Sequence, residues 1–114
     1  MYDHLKDFIE KLNMGKFEVP RCNSCNTKVW PPCHYCPRCQ SRTALEAIET
    51  IGTLLEFTIS SIEGMQGTFG LVDMSGIKLL GSFNTSELRE GQKVKMVRCG
   101  TNSDGATFYS FEPL

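Results

Sequence analysis

The sequence predicts a mainly β chain: an N-terminal helix, a cysteine-rich metal-binding segment, and then a barrel of five short antiparallel strands. Three observations carry this expectation. Apolar residues recur at helical spacing over 3–13, two Cys-x-x-Cys pairs interrupt all periodicity between 20 and 42, and period-two alternation broken by glycine turns runs from about residue 49 onward. The expected organisation is a helix at 1–19, a metal-binding ribbon at 20–45 and a barrel at 46–114. A length of 114 residues supports a modest core, and a metal clip would help so short a chain to fold.

The helix is predicted because Leu5, Phe8, Ile9 and Leu12 fall on one stripe, with Lys6, Asp7, Glu10 and Lys11 between them. Asp3 is placed to cap its start and Gly15 to end it. The stripe is expected to cover the core, with a partner contact as the other reading.

The metal segment rests on spacing. Cys22-Asn23-Ser24-Cys25 and Cys36-Pro37-Arg38-Cys39 are two tight knuckles separated by ten residues. Each knuckle can present two thiolates, and the two together give four sulfurs about 2.3 Å from a tetrahedral ion with no open position. A closed site of this kind is structural, because catalysis needs a place for water or substrate. Zinc is the expected ion, and iron uses the same four ligands in rubredoxin-type sites. Cys33 also forms a Cys-x-x-Cys with Cys36, and Cys33 or His34 is a conceivable substitute ligand, but pairing Cys36 with Cys39 yields the proline-containing knuckle expected of a ribbon. Pro37 suits the turn through its preset φ, and Asn26 tolerates a left-handed conformation after the first knuckle. Six cysteines in a secreted chain would suggest disulfides instead, but Met1 to Asp7 lacks the basic start and apolar run of a secretory signal, so a cytoplasmic protein is expected. Cys99 reads as a packed thiol.

The strands follow in order. Leu55, Phe57 and Ile59 alternate with Glu56, Thr58 and Ser60; Gly67 to Asp73 places Phe69 and Leu71 on one face; Gly76 to Phe83 places Ile77, Leu79, Gly81 and Phe83 on one face. Asn84 to Gly91 carries capping residues, early acids and a terminal glycine, and is predicted to form a short helical turn. Gln92 to Cys99 turns Val94 and Met96 inward, and the hairpin Thr101 to Gly105 leads to a last strand, Ala106 to Phe111. No connection leaves room for a long parallel crossover, so an antiparallel sheet is expected. Five strands with a helical turn between the third and fourth have the element order of an OB-fold barrel, with an SH3-like barrel as the nearest rival.

Charge separates the two halves. Residues 1–42 hold seven Lys/Arg against four Asp/Glu, and residues 43–114 hold five against nine. The acidic barrel half argues against nucleic acid, since the strands that would present it offer Lys78 as their one cation, with Asp73 nearby. Neither histidine sits in a catalytic motif, and Gly64 to Gly70 precedes no helix, so it reads as a loop rather than a phosphate cradle. An enzyme acting alone is the least supported class. Lys16, Arg21, Lys28, Arg38 and Arg42 are candidates to meet phosphates or an acidic surface, and Tyr2, Phe8, Phe17, Trp30 and Tyr35 are candidate partner anchors or simply packing.

With these residues in view, the chain resembles the archaeal and bacterial family that joins a rubredoxin-like zinc ribbon to an OB-fold, long labelled a domain of unknown function. The resemblance runs from Leu12, Gly15 and Lys16 through Pro20-Arg21-Cys22-Asn23-Ser24-Cys25, Trp30-Pro31-Pro32 and Cys36-Pro37-Arg38-Cys39. It continues in Gly52-Thr53, Phe69-Gly70-Leu71-Val72-Asp73 and Leu88-Arg89-Glu90-Gly91-Gln92-Lys93-Val94. Cys33 stands where the family usually has arginine, and Asn26 where it usually has glycine. The resemblance implies zinc at Cys22, Cys25, Cys36 and Cys39, and a non-catalytic scaffold subunit of a thiolase-type or other acyl-CoA enzyme complex. Contact with CoA or the partner would then fall to Lys28, Trp30, Tyr35, Arg38 and Arg42. The alternative is a zinc-ribbon and OB-fold protein that binds single-stranded nucleic acid.

Overall fold

The computed structural model describes residues 3–33, 35–64 and 66–114, with side chains described from residue 6 onward. The cap expected of Asp3, the anchor expected of Tyr2 and the ligand alternative at His34 lie outside the described side chains or residues. The chain divides into two compact units, 1–48 and 49–114.

The first unit begins with helix α1, Asp3–Asn13. Phe8 and Leu12, one turn apart, are buried. Gly15 ends the helix in the left-handed conformation, with φ of 79°. The Lys16 N–H donates to the Lys11 carbonyl and the Gly15 N–H to the Leu12 carbonyl, at 2.9 and 3.0 Å, the paired closure of a Schellman motif. Strand β1, Glu18–Cys22, then pairs antiparallel with β2, Thr43–Ala47, which returns after the cysteine knuckles. Sequence patterning missed this pair: each strand is five residues long, and Pro20 sits inside the first. Pro20 has no N–H to give the ladder, but its carbonyl accepts the Val29 N–H at 2.8 Å.

The second unit is a five-stranded barrel: β3, Ile51–Ser60; β4, Gly67–Met74; β5, Ile77–Phe83; β6, Lys93–Thr101; and β7, Thr107–Pro113. The spatial order is β3-β4-β5-β7-β6, and the pairing of β6 with β3 closes it. The expected all-antiparallel sheet is corrected in one seam. β5 and β7 run parallel, pairing Ser82 with Ser110 and Phe83 with Phe111. The connection between them contains β6 and its hairpin, so no separate crossover helix is needed.

Leu54, Val72, Met74, Leu79, Val94 and Phe111 form the barrel core. Glycine makes room for it where strands crowd: a Cβ on Gly81 would lie 2.3 Å from the Phe111 ring, and one on Gly70 would lie 2.7 Å from Leu54. The face expected of β5 is the buried one, while the unbroken alternation expected of β3 is corrected. In β4 Phe69 and Leu71 share a face as expected, and it is the outer one, because the core side carries Thr68, Gly70, Val72 and Met74. In β3 the register shifts between Leu54 and Glu56, so Leu55 becomes the extra residue of a bulge. Phe57 and Ile59 pair with Gly70 and Thr68, yet Ile59 remains 63% exposed near the strand's end.

The segment expected to be a helical turn, Asn84 to Gly91, is an irregular loop. The Leu88 N–H turns back to the Ser86 carbonyl at 3.0 Å, and the end of the loop is tied to β3. The Gly91 N–H donates to the Leu54 carbonyl at 2.7 Å, the Leu54 N–H returns to the Gln92 carbonyl at 2.9 Å, and Leu88 is buried.

Candidate metal centre

The two knuckles fold alike, residue for residue. In the first, the Sγ of Cys22 accepts the N–H groups of Ser24 and Cys25 at 3.3 and 3.4 Å; in the second, the Sγ of Cys36 accepts the Arg38 N–H at 3.4 Å. The chain then turns back on itself in both. Asn26 donates to the Cys22 carbonyl at 3.1 Å and Gln40 to the Cys36 carbonyl at 2.8 Å, with φ of 62° and 63°. Cys22 N–H closes onto the Thr27 carbonyl and Cys36 N–H onto the Ser41 carbonyl, at 2.9 and 2.8 Å. Bridges Arg21 to Lys28 and Tyr35 to Arg42 complete two matching hairpins. The left-handed residue was legible at Asn26 and missed at Gln40, although both follow the second cysteine of a knuckle.

The consequence is a cluster in which one Sγ from each of Cys22, Cys25, Cys36 and Cys39 lies within 4.8 Å of all the others. Tetrahedral ligands about 2.3 Å from one ion are about 3.8 Å apart. Cys25 and Cys36 lie 3.8 Å apart, Cys25 and Cys39 3.7 Å, and Cys22 and Cys39 3.1 Å. The first cysteine of each knuckle is buried and the second is exposed. The donor set therefore fits a thiophilic metal ion: four clustered sulfurs, two of these separations at the tetrahedral value with Cys22 and Cys39 closer, and backbone N–H groups already aimed at Cys22 and Cys36.

Their proton affinities diverge as expected of crowded thiols. The Cys25 N–H draws the Cys22 thiol down, but burial and hydrogen bonds with the Cys39 and Cys25 sulfurs outweigh it and push it up to about 11. The Thr27 hydroxyl and backbone hold Cys25 down to about 6, and the Ser41 backbone, with the Cys22 sulfur, lowers Cys39. A bound cation would relieve this sharing by displacing the remaining protons.

The other residues singled out by sequence do not converge on the cluster as a set. Trp30 packs edge-on against Phe8 at 5.6 Å and lies 5.8 Å from Phe17, so the helix, the residue just before β1 and the loop between the knuckles share one aromatic core. Lys28, Arg38 and Arg42 are exposed on the ribbon, and Tyr35 is half exposed. Cys33 packs against the buried group of Cys22, Val29 and Cys36, and its carbonyl accepts the Thr43 hydroxyl at 2.8 Å. Cys99 lies opposite Tyr109 in the barrel, and burial pushes its thiol up. No helix among the described residues is long and apolar enough to cross a membrane.

Residues 10–46 match the family described as ChsH2, rubredoxin-like zinc ribbon domain. No curated protein matches the chain. A solved structure titled Ltp2-ChsH2(DUF35) aldolase is similar with a TM-score of 0.78 at 18% identity, covering 99% of this chain and 96% of that one. A DUF35-family protein of unknown function from Sulfolobus solfataricus is similar with a TM-score of 0.68, also at 18% identity, covering 96% of this chain and 84% of that one. Residues 10–46 are therefore similar to the rubredoxin-like zinc ribbon of the ChsH2 family, and the chain as a whole shares its fold with these two structures.

Proposed function

We propose that this chain is a non-catalytic accessory subunit of a thiolase-type or related acyl-CoA enzyme complex, with one structural zinc ion in its four-cysteine site. The observation that carries the reading is the fold shared over ribbon and barrel with the solved Ltp2-ChsH2(DUF35) aldolase. Its low identity makes that a similarity of fold, and the family resemblance of the ribbon supplies the rest.

Chemistry agrees with an accessory role. A site closed by four thiolates leaves no coordination position for substrate, and zinc, lacking redox chemistry, suits a clip. No second group of three or more metal-ligating side chains forms among the described residues. The barrel order, with its single parallel seam between the third and fifth strands, supports an OB-type barrel, and such barrels are binding modules. Exposed Lys28, Arg38, Arg42 and Tyr35 on the ribbon are the proposed contacts to the partner or to CoA, and the cytoplasm is the proposed compartment.

The test is co-purification of the tagged, zinc-loaded chain with thiolase-type proteins of its own source. A stable complex that survives nuclease treatment is expected. Failure to bind any of them, together with salt-sensitive binding of single-stranded nucleic acid, would overturn the reading in favour of the nucleic-acid alternative.

A further inference from the structure

Ser82 on β5, Ser110 on β7 and Arg98 on β6 are register neighbours across three strands. Directly opposed residues share a face, so these side chains stand together on the outside of the barrel, spanning roughly 10 Å. The next residues inward, Phe83 and Phe111, stack in the core at 5.9 Å. Plain alternation would not have built this row. The register of β6 shifts between Met96 and Arg98, which makes Val97 a bulge and turns Arg98 to the same side as Lys95. Lys95 is already paired with Glu112, at 3.5 Å, whereas none of the ion pairs among the described residues involves Arg98. Its guanidinium rests over the Phe108 ring, 5.8 Å from the centroid.

Together with Asn84 at the end of β5, the row lines a recess of about 220 Å³, and Val97 and Phe111 supply apolar wall. The hydroxyls of Ser82 and Ser110 lie 3.1 Å apart, and Ser82 also reaches the Tyr109 carbonyl at 3.5 Å. When Ser82 donates to the Ser110 oxygen, the Ser110 hydrogen is free to point outward. The lining thus offers one permanent cation, an amide and a hydroxyl donor, and it contains no carboxylate.

We propose that this recess binds the phosphate group of a small phosphate ester. Donors arriving from β6, from β7 and from the residue just past β5 suit a tetrahedral group with several outward oxygens, while a planar carboxylate would satisfy only the guanidinium fork. The volume lies below the roughly 300 Å³ at which sites for larger ligands begin, so only a compact organic part fits against Val97 and Phe111. The site is separate from the metal centre, and no partner enzyme is needed to measure it, so it stands or falls independently of the accessory role.

The test is an amide chemical-shift titration of the full metal-loaded chain with phenyl phosphate, inorganic phosphate and benzoate. Saturable shifts at Ser82, Asn84, Arg98 and Ser110 are expected, with both control anions binding about tenfold more weakly. Arg98→Gln should weaken phenyl phosphate by about tenfold and Ser110→Ala by severalfold, with the remaining spectrum unchanged. Because Arg98 is exposed, its replacement leaves the core intact. The proposal is overturned if the shifts gather on Lys28, Arg38 and Arg42, if Arg98→Gln titrates like the parent, or if benzoate or inorganic phosphate binds as tightly.

Discussion

The ribbon and the barrel reach order by different physics. In the first unit a few residues at fixed spacing do most of the work: four sulfurs, two left-handed turn residues and one aromatic trio organise 48 residues around a point. In the second, order is spread over five strands, whose faces interlock through Leu54, Val72, Val94 and Phe111 and through glycines that leave room for rings. A point-centred unit is readable from spacing and vulnerable to loss of its centre. A distributed unit is harder to read and responds to any change in packing volume.

Removing the metal should break the comparison most completely. Structural zinc contributes on the order of 10 kcal/mol to small ribbons at neutral pH, far more than the 1–48 unit can replace from its short strands. A chelator is expected to collapse the amide dispersion of that unit while leaving the shifts of 49–114 in place. Collapse of both together would show that the barrel depends on the ribbon. The converse experiment is Phe111→Ala, which empties the centre of the barrel and should cost about 3–5 kcal/mol, read as a lower midpoint in denaturant with metal still bound.

Smaller effects sharpen the picture. Gly15→Ala adds a Cβ that meets nothing within 4 Å, so its cost comes only from the left-handed φ, about 1–2 kcal/mol. Equilibrium unfolding should report that loss, and Gly15→Asn should recover part of it. Metal uptake should also depend on pH in a defined direction. With Cys22 pushed up to about 11, its thiol is protonated at neutral pH and must lose its proton to bind, so affinity falls as the solution is acidified. Cys25, held down to about 6, is already a thiolate at neutral pH, and the loss should steepen once the pH drops below that value. A competitive chelator titration across this range measures the slope.

Legibility followed the same division. Helix α1 was readable to its ends, because Phe8 and Leu12 repeat at helical spacing and Gly15 stops them. The clustering of the four cysteines was readable because a knuckle needs its cysteines at one spacing. In the barrel, β5 was readable from strict alternation, but β3 was not: a bulge at Leu55 resets the parity, and nothing in the local sequence announces it. Phe69 and Leu71 share a face as read, but alternation alone does not say which face is inner, and that of β4 is built from Gly70 and Thr68 as well as from larger apolar residues. The loop from Asn84 to Gly91 has the composition of a helix start, yet hydrogen bonds to β3 and burial of Leu88 override it. Long-range pairing decided each of these points, including the parallel seam between β5 and β7.

The most direct test of the point-centred ribbon is X-ray absorption at the zinc edge on protein whose metal content has been set by native mass spectrometry. One zinc per chain with four sulfur neighbours at about 2.3 Å is the predicted result. A shell containing oxygen or nitrogen, or a substoichiometric metal that leaves the 1–48 unit folded when removed, would contradict the claim that a closed four-thiolate centre holds this unit together.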